Sequence, residues 1–239
     1  MRCEIALGQS AHVNSSYNRL AMLLYYITDR KGFAGTDGEQ RTTLLRCIAD
    51  AARAGVDFIQ LREKDLDPAD LELLAREAVR RIGENSATTK LLINTHVDVA
   101  LAVGAHGVHL PANSPPVVAI HNEWLRQAQI APLLGVSAHT VADVQRAAQA
   151  GATFAVLAPI FEKVATGASG IGLGALHEAC VSSQIPVLAL GGIRLGNTRG
   201  CLKTGAAGIA GIRLFQEGPI VRTVDALRWL ERHVTPGSN

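Results

Sequence analysis

The sequence lacks the marks of a membrane, secreted or nucleic-acid-binding protein. No apolar run reaches the length of a membrane span, and the first twenty residues have no continuous apolar core of the signal-peptide kind. Formal net charge is only +2, with no long basic run, so bulk attraction to nucleic acid or to a membrane surface is not expected. The four cysteines, Cys3, Cys47, Cys180 and Cys201, are scattered and form no Cys-x-x-Cys pair. That pattern points to reduced, structural thiols in a cytoplasmic protein. His96, His106, His121, His177 and His233 are not spaced as a metal cage, and no metal site is expected. The first apolar run is not followed by a G-x-G-x-x-G turn, which argues against an open, doubly wound nucleotide-binding sheet.

What is present is an alternation. Of 239 residues 48% are apolar, enough for one substantial core. Residues 1–20 show no clear periodicity and read as a loose amino-terminal extension, leaving 21–239 as a single domain. Order begins with the run Leu23 to Thr28. Further strands are expected at 57–62, 90–94, 107–110, 133–137, 153–158, 186–190 and 207–212. Amphipathic helical stretches lie between most of them, such as 40–54 and 68–82, the latter with Leu71, Leu74, Ala75 and Val79 on one side. Phe154-Ala155-Val156-Leu157 is apolar on both faces, as a doubly buried parallel strand requires. The repeat and the chain length together predict an α/β fold of the (β/α)8 TIM-barrel kind.

Barrel sites are built at the carboxyl ends of the strands, and there the sequence places polar residues and glycines. In Ile59-Gln60-Leu61-Arg62-Glu63-Lys64, alternation puts Gln60, Arg62 and Lys64 on one face. One amide and two cations there make a cradle for phosphate oxygens. Asn94, His109, Ser137 and Lys163 stand at or just beyond other strand ends, and His109 reads equally as a satisfied barrel histidine. Gly191-Gly192 lets backbone N–H groups approach an anion, with Arg213 adding charge nearby. The same glycines also fit a plain tight turn. His139 has the position and the chemistry of a general acid/base, while Thr140 beside it reads as a helix cap. The glycine-rich run 167–174 reads as a lid or as a simple connector.

Several of these stretches together resemble one family. Tyr26-Ile27-Thr28-Asp29-Arg30, Gln60-Leu61-Arg62-Glu63-Lys64, Ile93-Asn94 with Val97-Asp98-Val99-Ala100-Leu101, and Gly107-Val108-His109-Leu110 look like thiamine-phosphate synthase and its TenI-type relatives. So do Gly135-Val136-Ser137-Ala138-His139-Thr140, Pro159-Ile160-Phe161 and Gly191-Gly192-Ile193, and the likeness runs from about residue 23 to 216. The resemblance implies a (β/α)8 barrel acting on a thiazole phosphate in thiamine biosynthesis, most often as a homo-oligomer. It implies substrate contacts from Gln60, Arg62, Lys64, Asn94, His109, Ser137 and Lys163, with phosphate held by Gly191, Gly192 and Arg213. The synthase branch joins a hydroxymethylpyrimidine diphosphate to the thiazole and expels pyrophosphate, with Mg2+ held by carboxylates. Thr95 and Ser114 stand where its pattern has those carboxylates, and its Thr-x-Thr-Lys loop reads Lys163-Val164-Ala165-Thr166 here. A serine of its last strand is replaced by Arg213. On that ground the sequence favours the TenI-type branch, a cofactor-free thiazole tautomerase with His139 moving the proton. The alternatives are the Mg2+-dependent synthase and a non-catalytic phosphate-binding sensor.

Overall fold

The structure, a computed structural model, describes residues 21–113, 116–162 and 169–233. Its strands are β1 Leu23–Ile27, β2 Phe58–Leu61, β3 Lys90–Asn94, β4 Gly107–Leu110, β5 Leu133–Ala138, β6 Phe154–Leu157, β7 Val187–Ala189 and β8 Gly208–Gly211. Each pairs with the next, and β8 returns to β1 in parallel through Leu24↔Ile209 and Tyr25↔Ala210, closing the barrel. Helices α1 Asp37–Arg53, α2 Pro68–Asn85, α3 Val97–Ala102, α4 Val117–Gln127 and α5 Val141–Gln149 fill the first returns. They are followed by α6 Gly172–Ser182, α7 Leu195–Lys203, the single turn α8 Arg213–Gln216 and the closing helix α9 Ile220–His233. The expected TIM barrel is therefore what the chain forms. The expected extension 1–20 and the first two residues of the glycine-rich run, 167 and 168, lie outside the described residues, whereas Gly172–Gly174 opens α6.

Local chemistry sets the helix starts. The Thr36 hydroxyl accepts from the Glu39 N–H while the Glu39 carboxylate accepts from the Thr36 N–H, so α1 begins three residues before the periodicity alone suggests. Asp67 caps α2 through the Asp70 N–H, with Pro68 opening its first turn. On α2 the buried stripe is Leu71, Leu74, Ala75, Ala78 and Ile82, and Val79 is only half-buried at its edge. These stripes pack on the outward faces of the strands to form the larger core, between barrel and helix ring. Burial pushes the thiols of Cys180 and Cys201 up, to about 11 and about 12, so both stay protonated core groups, as the sequence reading held. Cys3 lies outside the described residues.

The two ends of the barrel chain are tied together at its amino-terminal face. The Asp57 carboxylate accepts from Leu24 N at 2.8 Å and from Arg228 Nη2 at 2.7 Å. Arg228 also donates to the Met22 carbonyl, and Glu231 accepts from the Met22 N–H. The first strand and last helix are thus stitched by charge-assisted bonds, the stronger kind.

Inside the barrel, inward side chains form a second, smaller core of Tyr25, Ile27, Phe58, Leu92, Phe154, Val156, Leu188 and Ala210. Phe58 and Phe154 stack at 5.3 Å, and Tyr25 meets Phe154 edge-on at 5.4 Å. Such pairs add about 0.5–1.5 kcal/mol each beyond their buried area. Gly135 is required here, since a Cβ on it would lie 2.5 Å from Phe154 Cζ and 2.8 Å from His109 Nδ1. This aromatic plug fills the lower barrel, so open space remains only toward the carboxyl ends of the strands.

His109 caps the plug. It is buried, with Nε2 2.9 Å from Ser137 Oγ and Nδ1 3.2 Å from the Tyr25 hydroxyl. Burial, with a smaller push from the Arg62 charge, lowers its pKa to about 3, so the imidazole is neutral. Between that value and the unfolded value of about 6.5, the unfolded chain binds a proton that the folded chain excludes. Stability therefore falls as pH drops through that window. Urea denaturation at pH 7 and at about pH 4.5 should show the parent losing roughly 2–3 kcal/mol more than a His109→Asn variant. Parallel acid profiles for the two proteins would contradict a neutral buried imidazole.

Candidate functional site

Above the plug lies a cavity of about 850 Å³, at the carboxyl ends of the strands. Gln60 follows from the inward alternation of β2, and Arg62 stands one residue past its end; Asn94, His109 and Ser137 follow from β3, β4 and β5. His139 stands one residue past β5, and Gly191, Gly192 and Arg213 face the same space from beyond β7 and β8. The structure thus gathers nine of the residues singled out in the sequence around one cavity. Two others it does not place there. β2 ends at Leu61, so strand alternation does not carry on to Lys64, which instead lines a smaller neighbouring hollow of about 280 Å³ with Glu63, Asn94 and Thr95. Lys163 lies outside the described residues.

At one side, Gln60 Nε2 reaches the Asn94 amide oxygen at the long distance of 3.5 Å, holding the two amides side by side. The Arg62 guanidinium makes no ion pair among the described residues. At the other side, Gly191 and Gly192 have φ of 97° and 65°, a backbone that side-chain-bearing residues rarely adopt. A Cβ on Gly191 would sit 2.6 Å from Pro159 Cα, and one on Gly192 2.7 Å from Phe161 Cβ. The tight-turn reading is correct as geometry. It coexists with an anion-binding one, because among the described residues the N–H groups of Gly191 and Gly192 donate to no protein acceptor. Arg213 opens α8 rather than lying on β8, with its side chain 60% exposed and the Glu217 carboxylate a loose 3.8 Å away.

His139 and Thr140 divide the two roles considered for their turn. Thr140 Oγ1 accepts from Asp143 N at 3.1 Å, and Asp143 Oδ2 accepts from the His139 and Thr140 N–H groups at 2.9 Å each. The backbone thus starts α5, while the imidazole turns to the cavity. Its Nδ1 is 2.9 Å from the Ala158 carbonyl oxygen. A carbonyl only accepts, so Nδ1 carries the proton in the neutral ring and Nε2 keeps its lone pair.

Arg194 was missed by the sequence reading. It lines the cavity beside Gly192 and has no ion-pair partner among the described residues. Asn197 sets it in place, accepting from Arg194 N at 2.8 Å and donating to the Gly192 carbonyl at 2.9 Å. The signal for it was Asn197, three residues on, where an amide caps α7. The site also rests on a buried charge pair: Arg30 and Glu63 have side chains 2% and 1% exposed and lie 3.2 Å apart. Burial pushes the Glu63 carboxyl up, against hydrogen bonds from Thr28 and Arg30 that hold it down.

The synthase pattern's magnesium carboxylate has no counterpart at Thr95. Thr95 has φ 63°, strained for a β-branched residue, and its hydroxyl donates to the Asn94 carbonyl at 2.7 Å. Among the described residues no group of three or more His, Cys, Asp or Glu is arranged to hold a metal ion. Ser114 lies outside the described residues. No helix among them is long and apolar enough to cross a membrane.

Comparison with known proteins adds to this geometry. The family model described as thiamine monophosphate synthase matches residues 24–215. A putative thiamine-phosphate synthase 2 from Aquifex aeolicus is 41% identical over 196 residues, 81% of this chain and 97% of that protein. The thiamine-phosphate synthase of Methanoculleus marisnigri is 38% identical, covering 86% of this chain and 93% of its own. Among solved structures, thiamine phosphate pyrophosphorylase from Pyrococcus furiosus superposes with a TM-score of 0.74 at 28% identity, covering 90% of this chain and 98% of that one. With the family model spanning residues 24–215 and a relative 41% identical over 81% of this chain, the protein belongs to the thiamine monophosphate synthase family.

Proposed function

We propose that this chain is an enzyme of thiamine biosynthesis that couples a pyrimidine diphosphate to a thiazole phosphate and releases pyrophosphate. The observation that supports this reading is one cavity lined both by Gln60 and Arg62 and by Gly191, Gly192 and Arg213, two groups suited to anions. A cavity of about 850 Å³ has room for two small phosphorylated substrates at once. The names of the relatives favour the coupling over the tautomerisation preferred from sequence. In this reaction the methylene carbon leaves the diphosphate oxygen as it bonds the thiazole nitrogen, so negative charge grows on the departing pyrophosphate. Arg62, which has no carboxylate partner among the described residues, meets that charge through a planar fork of donors. The Gly191 and Gly192 N–H groups and Arg213 anchor the thiazole phosphate, whose charge does not change during the reaction. Thr95 stands where the synthase pattern has a magnesium carboxylate, and no step is assigned to that ion here.

The tautomerase is a second reading with one specific support. Thr95 stands where the synthase pattern has a carboxylate, while His139, with its Nδ1 on the Ala158 carbonyl, lines the cavity. An imidazole so placed takes a proton from one ring carbon and returns it to another.

Incubating the pure protein with each thiazole tautomer, with and without pyrimidine diphosphate and magnesium, separates the readings by product. Coupled product appearing only with the diphosphate supports the synthase; an isomerised thiazole formed without it supports the tautomerase. Binding without turnover of either would leave a sensor.

Two variants sharpen the result. Arg213→Ala should raise the KM for thiazole phosphate more than it lowers kcat, since the phosphate is bound alike in ground and transition states. A fall in kcat alone would remove it from the phosphate end. His139→Ala should keep coupling within a few-fold of the parent if the synthase reading holds. Under the tautomerase reading it should lose about 10²- to 10⁴-fold in kcat.

A further inference from the structure

We propose that Thr28 is a positioning residue that aims Arg62 into the cavity, acting through a buried relay to Glu63 and Arg30. The proposal rests on the reading of Arg62 as the diphosphate holder. It starts from where β2 ends: the strand ladder stops at Leu61, so it does not hold the Arg62 backbone. The Arg62 side chain has no ion-pair partner among the described residues, so its direction depends on how its own backbone is fixed.

That fixing comes from Thr28. Thr28 is fully buried, and the Arg62 N–H donates to its Oγ1 at 2.9 Å. A hydroxyl has a single proton, and Thr28 gives it to Glu63 Oε1 at 2.5 Å, so its lone pair is turned to Arg62. Donating to a carboxylate also makes that oxygen a better acceptor. Glu63 is itself immobilised: its Oε2 accepts from Arg30 N at 3.0 Å and from Arg30 Nη1 at 3.2 Å. Arg30 is clamped in turn by Asp65, at 2.6 and 2.8 Å, and by Asp37, at 2.8 and 3.0 Å. Glu63 faces away from the main cavity, and its side chain is only 1% exposed. It therefore serves the site through Thr28 and Arg62.

The test measures binding of inorganic pyrophosphate to the full chain by calorimetry, with thermal scans to confirm folding. Thr28→Val keeps the shape and removes the hydroxyl, whereas Thr28→Ser keeps the hydroxyl. The valine variant should bind pyrophosphate about tenfold more weakly, and the serine variant within about twofold of the parent. In an Arg62→Met background the valine change should add nothing, because its effect passes through Arg62. If the valine variant does not fold, Thr28→Cys, with a weaker donor and acceptor, should bind pyrophosphate more weakly than the serine variant. Equal affinities for the serine and the valine or cysteine variants would overturn the proposal alone. So would a valine effect that persists in full without Arg62. A parent chain that binds no pyrophosphate would overturn the diphosphate reading together with it.

Discussion

A guanidinium sealed from water is the constraint on which the carboxyl end of this barrel depends. Arg30 is 1% exposed, and a charge taken so far out of water costs several kcal/mol unless it is paired and hydrogen-bonded. Its donors are met by Glu63, Asp65 and Asp37, from the loop after β2 and the start of α1. Removing one acceptor leaves some of the Arg30 donors unmet, so the pairing ties the two loops together. Such a pair contributes more to defining geometry than to net stability. The strand ends next to the cavity are therefore the rigid part of a region that in many proteins is loose.

That rigidity complements the aromatic plug below. Phe58, Phe154 and Tyr25 occupy the lower interior with neutral His109 above them, so the cavity has a fixed, uncharged floor. Charge is kept to the walls, where Arg62, Arg194 and Arg213 face the space together with Asp29 and Glu217. An anionic substrate in such a space meets its cations at the sides and finds nothing to titrate at the bottom.

The parts of this arrangement that were legible in the sequence are those governed by periodicity. β6 reads Phe-Ala-Val-Leu because both faces are buried, and each expected strand matches the observed one to within a residue at either end. Inward alternation placed Gln60 correctly and reached Arg62, one residue past the strand, where Thr28 holds the backbone; three residues past the strand, at Lys64, it failed. Arg213 was legible as a cation near the last strand, but not as the opening residue of a one-turn helix. Arg194 escaped because its signal, the amide of Asn197 three residues on, marks a helix start and not where the arginine side chain turns. The relay from Thr28 to Glu63 and Arg30 was hidden for another reason: its members are apart in sequence and meet only when β1 and β2 pair. The choice between the coupling and the proton transfer was weighed on lost carboxylates, whereas the relatives point the other way.

The stitch among Asp57, Arg228, Met22 and Glu231 has a practical consequence for handling the protein. It brings the start of β1 and the end of α9 side by side on the face away from the cavity mouth. Surface attachment, or a fused domain carried at that face, leaves the mouth clear for small molecules. A circular permutant that joins the barrel there and opens in an exposed helix–strand turn of the same face would keep every strand end around the cavity in its present order.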